Sequence, residues 1–255
     1  MSRFNTIFKE QYQLLENTGD FNLGIFVGGF KPPHKGHFYT ALGALGLKDD
    51  FIKDQDCICD HLMVIITGKS RFDKKDDISI EVDGEMSKDI WQLYVNRYNV
   101  FDRISPTIAR VPAPVIEVEN KLKEIIHDDG ITLNNQFIKI ENLNIHLIIG
   151  EKDEESGDTP SKRYQYFIHN DNHQGNFYKN IDNSNKLKGK IKECISTSDY
   201  SASDVRSEIL NIAMKAGDAE TMISNEDVLN DHLPDDVNVE EVWDILRRGT
   251  PFDDR

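Results

Sequence analysis

The stretch GGFKPPHKGH, residues 28–37, sets two imidazoles three positions apart in a turn of glycine, proline and lysine. Such residues make poor core. They suit a place where backbone approaches an anion: Gly28 and Gly29 admit close contact, and His34 and His37 supply hydrogen-bond donors beside it. Gly36, between the histidines, leaves room where a side chain would obstruct a ligand. The preceding FNLGIFVGG (21–29) is a short apolar run bounded by glycine, a buried strand. Beyond the turn, Phe38, Ala41, Leu42 and Leu45 recur at helical spacing, so a helix starts near Gly36. A helix N-terminus behind a glycine turn offers free N–H groups and a positive partial charge. That is equipment for gripping a nucleoside triphosphate by its phosphates. The turn is not a P-loop, because G-x-x-x-x-G-K-[ST] is absent.

The elements that must position this turn alternate. DHLMVIITG (60–68) reads as a second buried strand, followed by a basic loop, KSRFDKKDD. SKDIWQLYVNRY (87–98) reads as a helix with Ser87 as N-cap and Ile90, Trp91, Tyr94, Val95 and Tyr98 on one face. ISPTIARVPA (104–113) is a weaker strand, VIEVENKLKEIIH (115–127) a helix, and LNIHLIIGEKDEE (143–155) a strong strand running into a charged turn. This alternation predicts an α/β fold, a Rossmann-like parallel sheet with helices on both faces. The loops after residues 29, 67 and 149 all leave carboxyl ends of strands and should converge on one rim. Residues 1–20 read as a short helical preface, 21–216 as the main domain, 156–200 as a long polar insertion, and 217–255 as an acidic helical tail. Helices are expected at 201–218 and over VEEVWDILRR near the end.

Composition narrows the functional classes. Hydrophobic residues at 38% and charged residues at 29% describe a chain able to bury a core. No apolar run approaches the roughly 20 residues needed to span a bilayer, and the N-terminus lacks a signal-peptide core, so a cytoplasmic protein without a membrane partner is expected. A net charge of -15 disfavours nucleic acid as a partner. It leaves room for a small phosphorylated ligand in a cleft with local cations. Cys57, Cys59 and Cys194 show neither a disulfide framework nor a zinc set and read as reduced thiols, and no metal-ligand set is visible.

GGFKPPHKGH resembles the G-x-F-x-P-x-H-x-G-H signature of the nucleotidylyltransferase superfamily. YSASDVRSEI resembles the element that opens a late helix in these enzymes, with Ser201, Ser203 and Arg206 at the matching positions. IIGEKDEE resembles their fourth-strand G-x-D region, with Gly150 and Asp153 beside the nucleotide. The likeness covers roughly residues 21–216, and the wider pattern looks like members encoded by large tailed phages, which would place the protein in a host cytoplasm. It implies transfer of a nucleoside monophosphate from a triphosphate to a small phosphorylated acceptor, with release of pyrophosphate and with Mg2+ accompanying the triphosphate. An adenylyltransferase with an NMN-like acceptor is favoured; a cytidylyltransferase for a lipid or glycan precursor and a non-catalytic nucleotide-binding module are the alternatives. Homo-oligomerisation stays open.

The resemblance gives His34 and His37 the α-phosphate and the leaving oxygen, and Arg206 the β- and γ-phosphates. Gly28, Gly29, Phe30, Lys31, Gly36, Gly150, Asp153, Ser201 and Ser203 would line the nucleotide. Lys31 stands where the family commonly carries Asp or Gln, and a cation there suits phosphate. Lys69 and Arg71 either meet the acceptor's phosphate or form a solvated loop, and Arg163 is a further phosphate candidate. Trp91 either stacks on a ring of the acceptor or, as its helical neighbours favour, joins the core. Ser201 could also form a capping box with Asp204. ISTS (195–198) resembles a cytidylyl element and SASDVR an adenylyl one, and only one of them can open the helix.

Overall fold

A computed structural model describes residues 20–53, 55–75, 78–150, 164–170, 172–197, 202–216 and 226–250. In chain order its elements are β1 (Phe21–Gly28), α1 (Lys35–Ala44), β2 (His61–Ile66), β3 (Arg71–Lys75), β4 (Ile78–Val82), α2 (Gly84–Arg97), β5 (Ile104–Ile108), α3 (Pro114–His127), β6 (Gly130–Leu133), β7 (Gln136–Lys139), β8 (Leu143–Gly150), β9 (His169–Asn170), β10 (His173–Gln174), α4 (Phe177–Asn180), β11 (Ile191–Ser196), α5 (Ala202–Ala216) and α6 (Val239–Leu246).

The central sheet is parallel, in the order β11-β8-β1-β2-β5. Period-two alternation feeds two cores at once. From β1, Leu23 and Ile25 join one cluster and Phe26 the other; on β2, Met63 and Ile65 part in the same way from Leu62, Val64 and Ile66. Helices α1, α2, α5 and α6 cover the Phe26 face, where Phe38, Trp91, Ile209 and Trp243 are buried. Helix α3 covers the Leu23 face through Val118 and Leu122. The α/β class and the two-sided helical cover match the expectation. Strand order reverses beside β1, because β2 and β5 lie on one side and β8 and β11 on the other. The crevice for a ligand therefore opens at the carboxyl ends of β1 and β8.

Several sequence expectations are corrected. The basic run after β2 is a strand, not a loop: β3 pairs antiparallel with β4, Asp73 opposite Ile80 and Arg71 opposite Val82. ISIEV alternates, and its Ile80 and Val82 bury into the Phe26-face core. Helix α2 begins at Gly84, capped by Asp83, whose carboxylate accepts from the Met86 N–H at 2.8 Å. Ser87 lies one turn inside, its hydroxyl donating to the Asp83 carbonyl. A β6–β7 hairpin turning at Asn134 and Asn135, both with positive φ, lies between α3 and β8, where the apolar pattern announces no element.

The 156–200 segment is no mere insertion where it is described. β11 pairs with β8 inside the central sheet, and Tyr164, Phe167, Phe177 and Leu187 pack on the Leu23 face. Nor does 226–250, within the expected acidic helical tail, stand apart from the domain, since Leu229, Leu233, Val242, Trp243 and Leu246 are buried in the Phe26-face core. Cys57 and Cys194 form a disulfide, correcting the expectation of three reduced thiols, while Cys59 is free and buried. The pairing joins positions 137 apart, which no local spacing could reveal. The expected N-terminal helix lies outside the described residues apart from Asp20. No helix among the described residues is long and apolar enough to cross a membrane.

Candidate active site

The turn after β1 is built around Phe30. Its backbone takes a left-handed φ of 46°, which turns the ring back over the strand end. A Cβ on Gly28 would stand 2.8 Å from that ring, so Gly28 is a packing requirement. Phe30 is buried against Phe26 at 4.8 Å, Trp91 at 5.5 Å and His37 at 4.9 Å between ring centroids. Its side chain is thus an anchor and not a ligand contact, which corrects the expected role. Trp91 is likewise fully buried, edge-on to Phe26 and Phe30, so it cannot stack on an acceptor. The Tyr94 hydroxyl donates to the Pro33 carbonyl at 3.1 Å and ties the turn to α2. Gly29, by contrast, is exposed, and a Cβ there would meet nothing within 4 Å. Its bareness serves no packing and leaves open backbone at the mouth of the crevice.

His34 is the N-cap of α1, with His37 at the third helical position. Their rings stack with centroids 3.7 Å apart. The His34 N–H donates to His37 Nδ1 at 3.4 Å, which makes Nδ1 the acceptor. Neutral His37 consequently carries its proton on Nε2. Its edge is partly open, yet burial of the ring pushes the imidazole down to about 3, so it is a neutral donor near pH 7. Gly36 is buried in the first turn between them. Neutral N–H donors at the positive end of a helix suit an oxygen on which negative charge develops.

Arg206 comes to the same turn from α5. It is buried; Nε donates to the Asp73 carboxylate on β3, and Nη1 donates to the Lys31 carbonyl. Lys31 is buried too, its ammonium donating to the carbonyl and, at 3.3 Å, the hydroxyl of Thr67, just beyond β2. Burial lowers Lys31 to about 8 against the opposing pull of Asp83. Arg71 lies 3.7 Å from the other Asp73 oxygen and is mostly exposed. Lys69 is exposed in the preceding turn.

The structure thus gathers Gly28, Gly29, Lys31, His34, Gly36, His37, Arg71 and Arg206 on one rim. Gly150 ends β8 on that rim, two residues beyond the Phe26–Ile148 pair and level with Ser196. Ser203 lies in the first turn of α5; Asp153, Arg163 and Ser201 lie outside the described residues. Sequence reasoning missed Asp73 and Thr67. The available signal was the Arg71–Asp73 spacing, which puts both side chains on one face once the run is a strand. Among the described residues no group of three His, Cys, Asp or Glu could hold a metal ion.

No family model matches the chain, nor does any curated protein. Among solved structures, a Vibrio parahaemolyticus protein described as a nicotinate-nucleotide adenylyltransferase is similar at 10% identity and a TM-score of 0.46, covering 88% of this chain and 99% of its own. The Plasmodium falciparum nicotinic acid mononucleotide adenylyltransferase complexed with NaAD is similar at 11% identity and a TM-score of 0.47, covering 88% of this chain and 95% of its own.

Proposed function

We propose that the protein is a nucleotidyltransferase that moves a nucleoside monophosphate from a triphosphate to a small phosphorylated acceptor. The observation that carries this reading is the stacked His34–His37 pair at the N-terminus of α1, with Arg206 held to the same turn. An acceptor phosphate oxygen attacks the α-phosphorus as the bond to the bridging oxygen breaks. Pyrophosphate leaves with that electron pair, so no proton transfer is obligatory. The work is positioning and charge stabilisation. His37 Nε2–H and His34 face the charge gathering on the α-phosphate and bridging oxygen; Gly29 admits the phosphates; Arg206 and Lys31 hold the β- and γ-phosphates.

Of the two late serine-rich stretches, SASDVR leads into α5 whereas Ile195 and Ser196 end β11. That arrangement favours the adenylyl reading with an NMN-like acceptor over the cytidylyl one. Magnesium is proposed to arrive with the triphosphate. Near the described rim Asp73 is committed to Arg206, and Asp83 caps α2, so these residues do not fit a protein-built magnesium site and no step is routed through the ion.

The test is pyrophosphate release with magnesium, ATP or CTP, and a panel of phosphorylated acceptors beginning with NMN. Release with ATP supports the reading, and release with CTP alone transfers it to the cytidylyl class. Nucleotide binding without release across the panel would favour a non-catalytic module.

A further inference from the structure

We infer that Asp73 is a positioning residue for Arg206, fixing the guanidinium so that its unengaged N–H groups face a polyphosphate; this rests on the nucleotidyltransferase reading above. Arginine has five donors. Asp73 takes Nε–H and the Lys31 carbonyl takes one from Nη1, which leaves both hydrogens of Nη2 and the second on Nη1 without a partner among the described residues. A buried guanidinium gripped at two points keeps one orientation, and its remaining donors form a fixed fork of the kind that binds two phosphate oxygens. Arg206 left buried without Asp73 would be an uncompensated charge free to turn.

The carboxylate is itself held. Asp73 sits on a hairpin whose inner face, Ile80 and Val82, packs in one core with Val205 and Ile209 of α5. The Lys75 ammonium adds a hydrogen bond to the Asn211 side chain at 2.8 Å. Arg71, 3.7 Å from the second carboxylate oxygen, is oriented by the same group and stands mostly exposed above it. One carboxylate therefore aligns a buried fork and an exposed one. The hairpin's role is to deliver that carboxylate to α5.

The test uses the full chain with Asp73→Asn, Asp73→Ala and Asp73→Glu. Inorganic tripolyphosphate binding is measured by calorimetry, and kcat and KM for ATP are measured with the acceptor found above. Asp73→Ala is expected to weaken tripolyphosphate about tenfold, the scale of one charge-assisted hydrogen bond, and to lower kcat, with partial rescue by Asp73→Glu. The Arg206 Nε–H resonance should be protected from exchange in the wild type, less protected in Asp73→Asn, whose amide oxygen is a weaker acceptor, and exposed in Asp73→Ala. Tighter tripolyphosphate binding by Asp73→Asn would overturn the inference, making the carboxylate a competitor of phosphate. So would unchanged binding and kcat with only a lower melting temperature, which would leave Asp73 a mere tie for the hairpin. Should Asp73→Ala fail to fold, the near-isosteric Asp73→Asn carries the test. A wild type that protects the Arg206 resonance but neither binds tripolyphosphate nor releases pyrophosphate would sink the functional reading and this role together; a wild type that turns over while its Asp73 variants do the same sinks only this role.

Discussion

The ring of His34 lies on that of His37, centroids 3.7 Å apart and planes 26° from parallel. Two imidazoles so close cannot both be charged at little cost, and desolvation of its ring holds His37 neutral. Their service is as donors. His37→Ala should lower kcat by roughly 10²–10³ while changing nucleotide affinity less, because a donor aimed at developing charge acts mainly in the transition state. Steady-state kinetics paired with calorimetry check this, and equal losses in rate and affinity would assign His37 to binding alone.

The same burial makes stability depend on pH. The ordinary imidazole value is 6.5, and the folded value lies near 3. Between those two the unfolded chain takes up a proton that the folded chain refuses, so stability falls as pH falls through that window. The slope from this group is at most about 1.4 kcal/mol per pH unit. Urea midpoints from pH 7 to pH 4 should decline less steeply in His37→Asn than in the wild type.

Neighbouring glycines should behave differently. Gly28→Ala drives a Cβ into the Phe30 ring and should cost about 1–3 kcal/mol of stability. Gly29→Ala meets only open space and should leave the melting temperature within a degree or two of the wild type, about 0.5 kcal/mol or less, yet weaken nucleotide binding. Unaltered affinity in folded Gly29→Ala would place the phosphates elsewhere.

Lys31 supplies a readout in alkali. Its free-protein value of about 8 lies below the ordinary 10.5 because the ammonium is buried. A bound anion favours the charged form, so ATP affinity should hold steady below about pH 8 and fall as the pH rises beyond it. Lys31→Met should bind weakly and lose that dependence. A wild-type affinity flat from pH 7 to pH 9.5 would remove Lys31 from the site.

The cysteines can be counted. The chain denatured without reductant should take one alkyl group, on Cys59, and three after reduction. Three in both conditions would show that Cys57 and Cys194 are not joined.

What the sequence made legible follows from how locally each feature is encoded. The β1 turn is written in ten consecutive residues, α1 in the helical spacing of Phe38, Ala41, Leu42 and Leu45 just after it, and the apolar runs of β2 and β8 need no partner to be recognised. Asp73 was hidden because RFDKK looks like a solvated basic run until Ile80 and Val82 give its partner strand a buried face. β11 was missed for a related reason. As an edge strand it buries Cys194 but leaves Lys192 and Glu193 half exposed, diluting the apolar signal that a central strand carries. Phe30 was misread because its type suits a ligand contact as well as an anchor, and only the left-handed backbone decides.

The place of β1 in the sheet has a consequence for biosynthesis. It is the first described strand to leave the ribosome and the middle one of the finished sheet, pairing with β2 on one side and β8 on the other. Phe21 must wait for Leu143 to be translated, on the order of ten seconds at ordinary elongation rates. Throughout that interval one edge of an apolar strand stands unpaired on a nascent chain. A chaperone that holds extended apolar segments would find its target there, and slowing translation between residues 29 and 142 would lengthen the exposure.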